Sequence, residues 1–312
     1  MRMKLTYGAA ALTLAAVTAL TACSSGGSSG SGSSGSNPLS GGSSGGSVVV
    51  GSANFPEDEL LAQIYVQALK AKGVNATAKL NIGAREVYYP QVKSGAISVI
   101  PEYNGGLLTN SVDTKSDAKT TAGVDAALKA KLPSSLEILN PAPASNSDAV
   151  TVTQATAGKY HLKSISDLTS VAKNLTLGGP PEFKTRPDGI SGLKKTYGLT
   201  FKSFSPLDES GPITLKALTS GKVDAADVFT TTPQIQTDHL VSLSDPRHDF
   251  AAQNIIPLVN KKAATPKITA ALNAVDAKLT TQALLKMDTA VITQHANYST
   301  VASGFLSQEG LG

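Results

Sequence analysis

Tyr103 lies eight residues after Gly95 in "KSGAISVIPEY", and Phe229 lies eight residues after Gly221 in "TSGKVDAADVF". Both segments run from a helix end through Ser-Gly into an apolar strand and deliver a ring at the strand's carboxyl end. In open α/β sheets that end faces the crevice where ligands bind. A ring there can hold a ligand by its apolar face, or it can simply cover the edge of a core. Two copies of one supersecondary unit imply two similar lobes, with Tyr103 and Phe229 facing each other across a cleft. Chance likeness is the competing reading, because helix-Gly-strand joints are common. Asn54 and Phe55 occupy the loop after the first strand, where a helix amino terminus can meet a ligand. Thr230 and Thr231 follow Phe229 and offer hydroxyls, while Glu182 and Tyr88 are weaker polar candidates. This inventory suits binding. Beyond the Ser/Gly-rich stretch of residues 24–47 there is no Gly-x-Ser-x-Gly elbow, and no Walker loop or HExxH motif suggests catalysis. His161, His239, His248 and His295 are scattered through polar surroundings, so solvated side chains and no metal site are expected, and no cofactor is implied.

The elements that must position these residues alternate. "VVVGS" reads as a buried strand. The next helix starts at Pro56, with Glu57, Asp58 and Glu59 in its first turn, where the dipole favours negative charge. Leu60, Leu61, Ile64, Ala68 and Leu69 recur at helical spacing, and Gly73 ends the element. "ATAKLNI" is a strand, Arg85 to Ser94 a helix, "AISVI" a strand, and Asn104-Gly105-Gly106 a turn. "NLTLGG", "LTFKSF" and "KVDAADVF" read as further strands, interleaved with helices near 164–173, 188–197 and 211–220. The segment from Lys267 to Ser307 reads as helical. Such alternation predicts an α/β fold with mostly parallel sheets.

The chain of 312 residues is 41% hydrophobic, 16% charged and free of Trp, a length that allows about two domains. Its formal charge is +4, and without Arg2 and Lys4 it is +2, from 25 basic against 23 acidic residues. That balance, with no basic run, argues against nucleic acid. "MRMK" is a positively charged start, and the Ala-rich apolar stretch after it is too short to span a bilayer, so residues 1–22 read as a signal peptide. "LTAC" then resembles the lipobox of bacterial lipoproteins, which makes Cys23, the only cysteine, the expected lipidated amino terminus. An ordinary secretory signal with an incidental cysteine is the alternative. Residues 24–47 are almost wholly Ser and Gly and read as a flexible tether, roughly 25–30 Å end to end as a random coil. The expected location is the extracytoplasmic face of a membrane, held by lipid.

"VGSANFPEDELLAQIYVQALKAKG", "VKSGAISVIPEYNGG", "PPEFKTRPDGISGLKKTYGL" and "LTSGKVDAADVFTTTPQI" together resemble the substrate-binding proteins of glycine betaine/choline/carnitine-type ABC importers. The resemblance covers residues 48 to 312. It implies a two-lobed periplasmic-binding-protein fold of type II, with an interlobe ligand cleft and a hinge of two crossing strands near "SDAVTVT" and "NIIPLVNK". Lobe 1 would comprise 48–149 plus 254–312, and lobe 2 would comprise 150–253. It also implies a monomer that captures a small organic solute and delivers it to permease and ATPase subunits.

In that family a box of tyrosines surrounds a quaternary ammonium group by cation–π attraction, about 0.5–2 kcal/mol per ring. Matched to this chain, one box tyrosine is Tyr103, a second falls on Asp148, a third near Leu215, and the fourth on Phe229. A lysine of the family's carboxylate clamp is replaced by Ala53, whereas its arginine is kept as Arg186. The resemblance therefore makes Tyr103, Phe229, Arg186, Asp148 and Leu215 pocket candidates alongside Asn54, Phe55, Thr230 and Thr231. Arg186 would anchor an anionic or hydroxylated ligand, Asp148 would neutralise a cation or accept hydroxyls, and Leu215 would make the pocket more apolar. Each has a plainer reading, as a surface Arg, a turn-forming Asp and a core Leu. A depleted ring box points towards a more apolar or hydroxyl-rich ligand than betaine. Two further readings stay open: a tethered surface hydrolase, and the same fold serving as a sensor or adhesin.

Overall fold

The computed structural model describes residues 47–312. The expected signal peptide, Cys23 and the Ser/Gly segment as far as residue 46 lie outside the described residues.

The first stretch of chain forms β1 (Val48–Gly51), α1 (Pro56–Ala71), β2 (Ala76–Lys79), α2 (Arg85–Ser94) and β3 (Val99–Tyr103). It continues through α3 (Asn104–Leu107), α4 (Thr121–Lys131) and β4 (Leu136–Ile138). The middle stretch forms β5 (Val150–Thr153), α5 (Gln154–Tyr160), β6 (Thr176–Gly179), α6 (Ile190–Tyr197) and β7 (Ser203–Pro206). After it come α7 (Pro212–Thr219), β8 (Ala225–Asp227), α8 (Gln234–Thr237) and β9 (Leu240–Ser242). The chain then returns with β10 (Ile255–Asn260), α9 (Pro266–Asp276), α10 (Thr281–Asp288) and α11 (Tyr298–Gln308).

Two sheets result, ordered β2-β1-β3-β10-β4 and β7-β6-β8-β5-β9. The central strand of each, β3 or β8, runs parallel to one neighbour (β1 or β6) and antiparallel to the other (β10 or β5). The sheets are therefore mixed rather than mostly parallel. A strand that arrives from the other lobe enters from the cleft end of the sheet, so β5 and β10 run against the strands they join. The repeated helix-Gly-strand unit occupies equivalent places, since β3 and β8 are both central. The glycines that lead into those strands, Gly95 and Gly221, both adopt the left-handed conformation, with φ of 88° and 73°, which favours a residue without Cβ. Each sheet has its own core. Leu60, Leu61, Ile64 and Leu69 of α1 pack under the first sheet, and Leu168, Leu177, Phe183 and Leu193 pack under the second.

Segments 139–149 and 243–254 carry the chain between the lobes, and part of each runs side by side. Ser145 and Asn254 form an antiparallel bridge, Asn146 N–H donates to the Gln253 carbonyl at 3.0 Å, and Ser145 Oγ donates to the same carbonyl at 3.1 Å.

Local differences from the sequence reading have physical causes. Residues 165–174 form two 3₁₀ segments rather than one helix. The helical region after Lys267 is three helices, with a π-helical turn over Thr289–Thr293. Asn104-Gly105-Gly106 begins α3 instead of a turn. Gly105 is there for close approach, because a Cβ on it would lie 2.4 Å from the carbonyl oxygen of Ala252 in the second crossing. Gly105→Ala should therefore lower stability by about 1–3 kcal/mol, as overpacking of a tight contact does. Gly158→Ala in α5, where a Cβ meets nothing within 4 Å, should be neutral or stabilising. Thermal unfolding of the two variants checks both.

Candidate ligand-binding site

A cavity of about 340 Å³, counting the part open to solvent, lies between the lobes at the carboxyl ends of β3 and β8. Three rings form one wall. Phe55 stands between the other two, edge-on to Phe229 with centroids 5.1 Å apart and 5.9 Å from Tyr103. Phe55 comes from the loop before α1, Tyr103 from the end of β3 and Phe229 from the end of β8. The two strand-end rings thus reach one cavity from opposite lobes, with Phe55 bridging them.

Below the rings is a buried carboxylate hub. Glu57, in the first turn of α1, is 3% exposed. It accepts hydrogen bonds from Tyr103 Oη at 2.5 Å, Asn146 Nδ2 at 2.9 Å and Thr231 Oγ1 at 2.5 Å. One side chain thereby ties a ring of lobe 1, the first crossing and a hydroxyl of lobe 2. Asp288, at the end of α10, lies against Glu57, and neither of its buried oxygens has an amide or hydroxyl donor among the described residues. Burial, with the adjacent Glu57, pushes the Asp288 carboxyl well above the usual range.

Two guanidiniums line the cavity, and each is already gripped by a carboxylate of the protein. Arg85 donates to Glu102 through Nε at 2.8 Å and Nη2 at 3.0 Å, and Tyr88 Oη also donates to Glu102 at 2.7 Å. Arg186 reaches across the cleft to Glu86, through Nε at 3.1 Å and Nη2 at 3.2 Å. Such bidentate pairs fix both the charge and the plane of the guanidinium. Other bonds join the lobes beside the cavity, with Thr109 and Asn110 donating to Asp188 at 2.9 and 3.1 Å.

Two carboxyls face the rings. Asp148 accepts from Gln253 Nε2 at 2.6 Å and lies beside Asp227. Burial raises both carboxyls, and the adjacent Asp148 pushes Asp227 further up, well above the usual range. At Asp148 the neighbouring Asp188 adds to the rise, while Arg186 and Arg85 oppose it. Glu209, from the loop before α7, also lines the cavity. Burial pushes it up to about 7, against the opposing pull of Arg186 and Arg85.

Tyr103, Phe229, Phe55, Arg186 and Asp148, all chosen from sequence, line this one cavity. Four other candidates stand elsewhere. Leu215 is packed with Leu218, Val223 and Val228, because it falls on the buried side of α7. Asn54 is exposed beside Phe55, on the outer side of its loop. Thr231 bonds to Glu57 below the rings, and exposed Thr230 ties the lobes together, its Oγ1 accepting from Ser147 N–H at 3.0 Å. Sequence reasoning missed Glu57, Arg85, Asn146, Glu209 and Gln253. A run of three acids right after Phe55 was the one available hint, and it read as ordinary helix-start charge. "LDESGP" hides Glu209 among turn residues.

The family model described as the substrate-binding domain of ABC-type glycine betaine transport systems matches residues 46–308, so the chain belongs to that family. The glycine betaine-binding protein YehZ of Escherichia coli K12 is 29% identical over 277 residues, covering 84% of this chain and 90% of that protein. A glycine-betaine-binding protein of Pseudomonas aeruginosa is 26% identical over 224 residues, covering 68% of this chain and 71% of that one. A solved structure of a glycine betaine/carnitine/choline ABC transporter protein superimposes with a TM-score of 0.66 over 85% of this chain and 99% of that one. At 22% identity that likeness speaks for the two-lobed fold.

Two tests follow from the geometry. Glu57→Ala removes the acceptor shared by Tyr103, Asn146 and Thr231 and should lower the unfolding free energy by about 3 kcal/mol, the scale of hydrogen bonds to a charged group; denaturant melts measure it. The second concerns pH. Glu209 and Asp249 both titrate near 7 in the folded protein, above their ordinary 4.5 and 3.8, burial being the main cause in each. Their contribution to stability is full below the ordinary values and is lost as pH rises towards 7. Melting temperature should fall over that interval, and Glu209→Gln should flatten the fall.

Proposed function

We propose that this protein captures a small quaternary ammonium solute in the interlobe cavity and delivers it to the permease of an ABC importer, without chemistry of its own. The observation that carries this reading is the three-ring wall of Phe55, Tyr103 and Phe229 facing the Asp148 and Glu209 carboxyls. A permanently charged ammonium without N–H donors suits ring faces, which attract it by their quadrupoles, and buried acids neutralise it. Phe55 compensates for a box that, counted from the matched tyrosines alone, keeps only two rings.

The mechanism is hinge bending at the two crossings. The ligand touches side chains of both lobes, so its binding favours the closed arrangement. The lobes move as 48–149 plus 254–312 and 150–253. ATP would be hydrolysed by a separate subunit. Lipidation at Cys23 and the Ser/Gly tether would hold a monomer at the extracytoplasmic face, free to turn towards the permease. The similarity to glycine betaine-binding proteins supports the ligand class. The hydrolase reading is less favoured, since the cavity pairs no serine or threonine nucleophile with a base.

Titration calorimetry with glycine betaine, choline and carnitine tests the proposal. At least one should bind, and Phe55→Ala and Tyr103→Ala should each weaken it by about two- to thirtyfold, the effect of losing about 0.5–2 kcal/mol of ring attraction. Unchanged affinity in both variants would refute the ring wall as the binding surface.

A further inference from the structure

We propose that the cavity selects a net-cationic ligand that carries no carboxylate, and that Glu209 sets this preference. The inference rests on the ammonium-binding reading above and narrows it.

The first observation is the state of the two guanidiniums. A zwitterionic ligand needs an uncommitted positive group for its carboxylate. Arg85 is held bidentately by Glu102, and Arg186 by Glu86. Both positive charges are thus balanced within the protein, and each guanidinium keeps only Nη1 free of a hydrogen bond among the described residues. Such an N–H suits a neutral hydroxyl or carbonyl oxygen better than it neutralises a second carboxylate.

The second observation is independent of the first. The Glu209 side chain is 9% exposed and lines the cavity, yet it makes no hydrogen bond to any described residue. Its ion pair with Arg186 Nη1 is long, at 3.7 Å, beyond hydrogen-bond range. A buried carboxyl left without a donor is costly unless something else supplies one or neutralises it. Asp148 lines the same cavity, its one donor among the described residues being Gln253 Nε2 at 2.6 Å. With both arginines balanced, these two acids leave the cavity net negative. A ligand of net charge +1 gains from that field, whereas a zwitterion brings its own carboxylate towards two others.

The charged groups around Glu209 are Arg186 and Glu182 from the segment before α6, Arg85 from α2, Asp148 from the first crossing, Asp227 from β8 and Asp58 from α1. A bound cation adds a positive charge to this set and favours ionised Glu209. Binding therefore releases a proton at pH below about 7, the value to which Glu209 is raised, and affinity for a cation rises with pH up to there.

The test is calorimetry with choline and glycine betaine at pH 5.5 and 7.5, on the wild-type protein and on Glu209→Gln, with melting curves to establish that the variant is folded. Choline should bind the wild type at least about tenfold more tightly than glycine betaine, the effect of one charge-assisted contact. Choline affinity should rise with pH, and Glu209→Gln should remove both the rise and most of the preference. Glycine betaine binding as tightly as choline overturns the inference and leaves the ammonium-binding reading standing. A choline preference that Glu209→Gln does not change refutes the role of Glu209. Binding of neither compound overturns the inference, and the ammonium-binding reading falls with it when carnitine also fails to bind.

Discussion

A single buried carboxylate holds this architecture around its cavity. Glu57 receives a phenol from the end of β3, an amide from the first interlobe crossing and a hydroxyl from the segment after β8. In a low-dielectric interior a carboxylate is tolerated only when donors surround it. Here the donors come from three separately folded parts of the chain, so satisfying Glu57 fixes how those parts meet. The ring of Tyr103 is thereby pinned at its hydroxyl end while its body stays on the cavity wall beside Phe55.

The same logic runs through the rest of the site. Each guanidinium is matched to a carboxylate, and Asp148 is held by the Gln253 amide. Glu209 lines the cavity without a hydrogen-bond donor from any described residue. A binding protein that closes around its ligand has reason to leave one interaction unmade, because the guest then supplies what the closed state lacks. Pairing Arg186 with Glu86 across the cleft gives closure some protein–protein support of its own. The ligand need contribute only the remaining difference in free energy between open and closed arrangements.

Much of the fold was legible because its signals are local. Proline and three acids announce α1, left-handed glycines announce β3 and β8, and the matching spacing of Gly95–Tyr103 and Gly221–Phe229 reflects equivalent central strands. Tyr103, Phe55 and Phe229 could be picked out because rings at strand ends and in the loop before a helix are conspicuous. Contacts between residues far apart in sequence were not legible. Nothing near Glu57 says that Asn146 and Thr231 will converge on it, and nothing near Arg85 foretells Glu102. Gly105 looked like a turn residue because glycine serves turns and close approaches alike, and only the packed crossing at Ala252 distinguishes them. Leu215 misled because matching a ring position on a loosely aligned helix leaves its phase open, and a shift of one residue turns a side chain by about 100°.

The central claim is that a quaternary ammonium ion rests on a ring wall assembled from both lobes. A crystal structure of the protein with choline bound tests it most directly. The account predicts the ligand nitrogen within about 6 Å of the centroids of Phe55, Tyr103 and Phe229, the range of cation–π contact, with the lobes closed over it. A ligand seated outside the interlobe cavity, or one whose nitrogen touches none of the three rings, would contradict it.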